Sequence, residues 1–115
     1  MTKVGIERAE PAAFTYSEPR AGLLRVTGDL RQPQARGLAE LLLGRLDAQA
    51  ALQVELFHVT AADLSTLQTM IVAQREARRQ DKQLRFIGYG LVLSDLMEQF
   101  DLAHEVGGPL AVVWE

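Results

Sequence analysis

Apolar and polar positions along this chain change their period several times, and each change marks an element. Gln53-Val54-Glu55-Leu56-Phe57 alternates polar and apolar and is bounded by His58 and Thr60, the pattern of a strand with one buried face. From Leu64 the period lengthens: Leu67, Met70, Ile71 and, more weakly, Gln74 and Ala77 recur at three- and four-residue spacing, which predicts a helix over 64–80. Upstream, 23–30 reads as a strong strand and 12–16 as a weak one, joined as a hairpin through a turn at 17–22 that holds Pro19 and Gly22. Pro33 suits the first position of a helix, and Ala35, Leu38, Leu41, Leu42 and Leu46 then form one stripe, so a first helix is expected over 33–48. A strand over 84–87 and a third helix over 91–100 follow, and Gly107-Gly108-Pro109 breaks the chain before a late edge strand at 110–114.

Strands alternating with helices predict an α/β fold: a four- to five-stranded, mostly parallel sheet with an N-terminal hairpin, right-handed crossovers and a cover of about three helices. Its core should hold Leu24, Val26, Leu38, Leu42, Val54, Leu56, Leu67, Ile71 and Phe86. With 115 residues, 48% of them hydrophobic, the chain can bury one core and is read as a single domain over 1–115, with 1–11 expected to be poorly ordered.

Charge and composition then narrow the function. A net charge of -3 argues against a general nucleic-acid binder, and the absence of cysteine removes disulfides, thiol nucleophiles and sulfur-ligated zinc. No apolar run approaches the roughly 18 residues of a spanning helix, and the first residues are not followed by a signal-peptide core, so a cytoplasmic chain without membrane insertion is expected. Gly88-Tyr89-Gly90 follows a strand as a dinucleotide loop would, but Leu93 stands where the third glycine belongs, and the segment reads as a turn. His58 and His104 are far apart in sequence and read as surface or capping residues. No catalytic, metal or cofactor site emerges, and the chain is expected not to be an enzyme. Arg75, Arg78, Arg79, Lys82 and Arg85 either bind an acidic partner or phosphate or form a solvated helix end.

The most informative junction lies at 62–67. Asp63 is placed to cap the helix by accepting a backbone N–H from Ser65 or Thr66, which gathers an aspartate, a serine and a threonine on one first turn. Free N–H groups and the positive end of the helix dipole suit that turn to a carboxylate or phosphate, or to a contact with another protein. Leu64 is either a buried staple or an exposed anchor, and Ser65 and Thr66 either a plain polar turn or a regulatory site.

These residues resemble the STAS family, small domains of anti-sigma factor antagonists and of sulfate-transporter tails. Leu23-Leu24-Arg25-Val26-Thr27-Gly28-Asp29-Leu30 is similar to the family's strand ending in Ser-Gly-Glu-Leu-Asp. Val54-Glu55-Leu56-Phe57-His58-Val59, then Thr60-Ala61-Ala62, then Asp63-Leu64-Ser65-Thr66-Leu67 resembles its strand and helix start. Residues 73–79, then 83–88, and finally 96–102 resemble the second helix, the next strand and the leucine-rich last helix.

The resemblance implies a non-catalytic module that docks on a regulatory protein, such as an anti-sigma factor, a serine kinase or a chemotaxis-type signalling protein. Asp63, Leu64, Ser65, Thr66 and Gln68 are its implied contact residues, and the chain is expected to be a monomer or weak dimer. The family's phosphorylated residue directly follows the aspartate. That position is Leu64, which cannot take a phosphate, so Ser65 is the candidate acceptor, on a turn whose dipole should let the isolated fold tolerate the charge. An accessory cytosolic subunit of a lipid-transport ATPase is the second role that the resemblance implies.

Overall fold

The computed structural model describes residues 13–106. In chain order these form β1 (Phe14–Arg20), β2 (Leu23–Asp29), a 3-10 turn (Gln32–Gln34), α1 (Ala35–Ala48), β3 (Ala51–Ala61), α2 (Leu64–Arg79), β4 (Gln83–Ile87), α3 (Gly90–Phe100) and α4 (Ala103–Val106). The four strands lie in the order β1-β2-β3-β4. The hairpin β1/β2 is antiparallel, and β2/β3 and β3/β4 are parallel, so the mixed sheet is the expected one. The expected strand at 110–114 and the expected disorder over 1–11 lie outside the described residues.

Alternation decides which side chains go inward. Leu24 and Val26 on β2, Leu52, Val54 and Leu56 on β3, and Leu84 and Phe86 on β4 all bury on one face, where Leu38, Leu42 and Leu46 of α1 and Leu67, Met70 and Ile71 of α2 meet them. All nine residues expected in the core are buried.

Three boundaries differ from the sequence reading. β1 continues through 17–20, with a break of register between Ser17 and Arg20 that accommodates Pro19, and the reversal is confined to Ala21 and Gly22 (φ 83°). Pro33 sits in the 3-10 turn, and the α-helix starts two residues later, at Ala35. Finally, β3 does not end near His58. Arg25 pairs with Glu55 but Thr27 with His58, so β3 carries an extra residue there, a bulge that shifts the buried position from Leu56 to Val59, and a second extra residue between Val59 and Ala61 lets the strand stay paired up to Ala61 opposite Asp29. Strict period two cannot reveal a strand that changes face within its own length.

The bulge also aims Phe57. Its ring fills the space over Gly88, so close that a Cβ on that glycine would lie 2.6 Å from the ring, and Gly88 (φ 68°) and Gly90 (φ 66°) are both left-handed. Gly88-Tyr89-Gly90 is therefore a turn from β4 into α3, shaped by an aromatic neighbour.

The basic cluster is dispersed by the fold. Lys82 donates to the carbonyls of Leu46 (2.7 Å) and Asp47 (3.2 Å), the last turn of α1, where a cation complements the helix dipole. Arg79 pairs with Glu76, whose carboxyl is held down to about 2 by hydrogen bonds from Arg79 and Gln80. Arg75 reaches Glu105 at 3.4 Å, and Arg85 stands on the strand β4. The solvated reading of that cluster is the one its geometry supports.

Candidate functional site

Parallel strands place their C-terminal ends side by side, so the segments leaving β2 and β3 meet at one edge of the sheet. Leu30 N–H donates to the Ala61 carbonyl at 2.9 Å and closes the two exits against each other. Asp63 stands at the centre of this junction. In extended conformation (φ -144°) it caps α2, its Oδ1 accepting the Ser65 N–H at 3.1 Å and the Ser65 hydroxyl at 2.5 Å. Its Oδ2 accepts the Gln32 N–H at 2.9 Å, which ties the start of α2 to the turn before α1. Burial pushes the Asp63 carboxyl up, but the donors Ser65, Gln32 and Thr66 outweigh it and hold the pKa below the ordinary aspartate value.

Thr66 completes a capping box by a route the sequence did not suggest. Its hydroxyl oxygen accepts the Asp63 N–H at 3.1 Å and donates to the Leu30 carbonyl at 2.6 Å, and the side chain is fully buried. Thr66 was expected at the contact surface. Its side chain is instead fully buried and holds the turn from beneath. Of the other expected contact residues, Gln68 is exposed on the outer side of α2, and Asp63, Leu64 and Ser65 are half-buried. Leu64 is thus partly packed and partly open to solvent.

Ser65 is the residue whose expected behaviour changes most. Its hydroxyl faces the Asp63 carboxylate, so a phosphate there would meet a like charge at hydrogen-bond distance as well as the favourable helix terminus. Tolerance by the isolated fold, expected from the dipole alone, does not follow from this arrangement.

Sequence reasoning also missed Asp29 and Arg31. Arg31 forms a two-pronged ion pair with Asp29 (2.7 Å for its Nη2–Oδ2 contact), and its own N–H reaches Asp29 Oδ1 at 2.9 Å. This pair lowers the pKa of Asp29, and Asp63 adds to the attraction that raises that of Arg31. The positive group at the edge of the site is thus 32 residues away from Asp63 in sequence. The available signal was topological, since strands expected to run parallel must release their next residues at the same edge.

His58 and His104 are both exposed and lie on different elements. Among the described residues no group of three or more His, Asp or Glu side chains could hold a metal ion, and no helix is long and apolar enough to cross a membrane.

Replacing Asp63 by alanine removes acceptors from three donors. It is expected to cost about 2 kcal/mol in a denaturant titration, the upper part of the range for a lost cap. Because the folded pKa is depressed, the Asp63 contribution is fully present above the ordinary carboxyl value near pH 4 and is lost as pH falls through the lower folded value. The stability gap between wild type and Asp63→Asn should be flat near neutrality and close in acid. A gap that persists unchanged at pH about 2 would mean that the carboxylate charge contributes nothing.

The sheet order, the parallel β2/β3/β4 pairing and a capped helix leaving the central exit define a small α/β module. The family model described as Mlab, STAS domain matches residues 14–112, and the chain belongs to the STAS domain family. Among solved structures, the anti-sigma factor antagonist SpoIIAA in its unphosphorylated form is similar, with a TM-score of 0.62 and 10% identity over 80% of this chain and 84% of that one. At that identity the likeness is one of fold. No curated protein matches the chain.

Proposed function

We propose that this STAS domain is a cytoplasmic, non-catalytic docking module that binds a regulatory protein through the turn and helix start at 62–67 together with Gln68. The observation that supports this most directly is the Asp63 network. Two buried or half-buried side chains, Asp63 and Thr66, spend all their hydrogen bonds on fixing the turn, and what the fixed turn offers to solvent is Leu64, Ser65 and Gln68. A prearranged surface loses little conformational freedom on binding, which is what a docking face requires. The reading needs no phosphate at position 64, where leucine stands, and the like-charge geometry at Ser65 makes a phosphate there a way to loosen the turn and eject a partner together.

The test begins with capture of the partner from the source cell and calorimetry on the pair. Gln68→Arg changes an exposed side chain outside the Asp63 network. It is expected to keep the wild-type melting temperature and to weaken binding by about tenfold or more, the range for a charge forced into a packed contact. Equal affinities for Gln68→Arg and wild type would move the contact surface off this turn. The identity of the captured protein separates an anti-sigma or chemotaxis-type regulator from the second reading, a transporter ATPase subunit.

A further inference from the structure

The helix α3 has an outer face that its own fold leaves unbalanced. Leu91, Asp95 and Glu98 are all exposed and stand four and three residues apart, so they line one stripe. Leu91 is 80% exposed, on the first turn. Phe57, 44% exposed, borders the start of this helix: its ring packs over Gly88, and its carbonyl comes within 3.7 Å of where a Cβ on Gly90 would sit. Phe100, at the other end of the helix, is also exposed.

The charges that α3 and its flanking turns carry have one sign. Between Phe86 and Ala103 the chain carries Asp95, Glu98 and Asp101 and no lysine or arginine. Glu98 lies in the last turn, where no basic residue accompanies it, and Asp101 is the C-cap, in the left-handed conformation (φ 56°) that glycine or asparagine usually takes. Carboxylates at a helix C-terminus oppose the dipole, so this arrangement weakens α3 in the free chain. Glu105, further on, is engaged by Arg75.

We infer that the outer face of α3, with Phe57, is a second docking surface and that its occupant is a basic amphipathic helix of a partner protein. An aliphatic side chain of that helix would cover Leu91 and Phe57, and lysines or arginines one and two turns along would meet Asp95 and Glu98, as helix spacing on both sides allows. The cations would also relieve the charges that stand against the α3 dipole. Nucleic acid and anionic lipid surfaces are repelled by the same carboxylates. This surface is independent of the Asp63 turn and can stand if the proposed function falls.

The probe is a synthetic amphipathic helical peptide of about 15 residues, leucines on one face flanked by lysines, with a second peptide bearing glutamate for every lysine. Titrated into the 15N-labelled chain at low salt, the lysine peptide is expected to shift the amides of Phe57 and of 90–101, and the glutamate peptide to shift none. Asp95→Lys/Glu98→Lys should weaken the lysine peptide about tenfold or more, while Glu40→Lys, a reversal at an exposed residue of α1, should leave it unchanged. Leu91→Ser, at a side chain that supports no core contact, should weaken it without lowering the melting temperature. Shifts centred on Ser65 and Gln68, equal effects of the α1 and α3 reversals, or equal binding of the two peptides would each overturn the assignment.

Discussion

Phe86→Ala is expected to lower the stability of the domain by about 3–5 kcal/mol, seen as a fall in the urea midpoint at unchanged slope. Among the described residues Phe86 is the bulkiest of the fully buried side chains, 1% exposed, and it pairs across the sheet with Val54, itself wholly buried. Removing the ring leaves a cavity between β4 and the helices, and a close-packed interior only partly collapses into it. For a domain of this size such a loss is a large share of the total stability, so the variant should be partly unfolded near body temperature. A loss below about 1 kcal/mol would mean that Phe86 is not at the centre of the core.

Thr66→Val is expected to cost roughly 2–4 kcal/mol although it preserves shape and adds apolar surface. The valine leaves two backbone groups in the interior without a partner, the Asp63 N–H and one lone pair of the Leu30 carbonyl, and each such group costs about 1–3 kcal/mol. Thr66→Ser keeps the hydroxyl and loses only a methyl, for about 1 kcal/mol. The contrast between the two variants is the measurement. If they cost the same, the hydroxyl contributes nothing and the β2 exit is held to α2 by packing alone. Because Leu30 and Asp63 belong to the two segments that meet at the site, Thr66→Val should also loosen the turn, visible as faster amide exchange at Ser65 and Gln32.

Much of this was legible along the chain because it depends on periodicity. Residues that alternate on β2 and β3, or recur at helical spacing on α1 and α2, must face inward wherever the elements pack, so the mixed sheet and the nine core positions followed from local pattern. Asp63 was legible as a cap for the same reason, since a cap is satisfied within its own turn. Bulges and bends are another matter. The two extra residues in β3 are decided by how it pairs with β2, and no window on β3 alone contains that information. The aim of Phe57 over Gly88 depends on the same bulge.

The roles of Thr66, Ser65, Arg31 and Lys82 could be assigned only in three dimensions. Thr66 and Ser65 are neighbours of the same polar type on one helical turn. The fold buries one hydroxyl against a carbonyl of another strand exit and turns the other toward a carboxylate. Arg31 joins the site because parallel strands end together, and Lys82 leaves the basic cluster because the terminal carbonyls of α1 lie within its reach. The sequence by itself determined the order of strands and helices from β1 to α3, the nine core positions and the family resemblance, since these rest on spacing and on interactions within a turn. Which polar side chains are spent on holding the turn and which stay open to solvent was decided by tertiary structure, because a hydrogen bond between segments some thirty residues apart exists only once the sheet has brought their ends together.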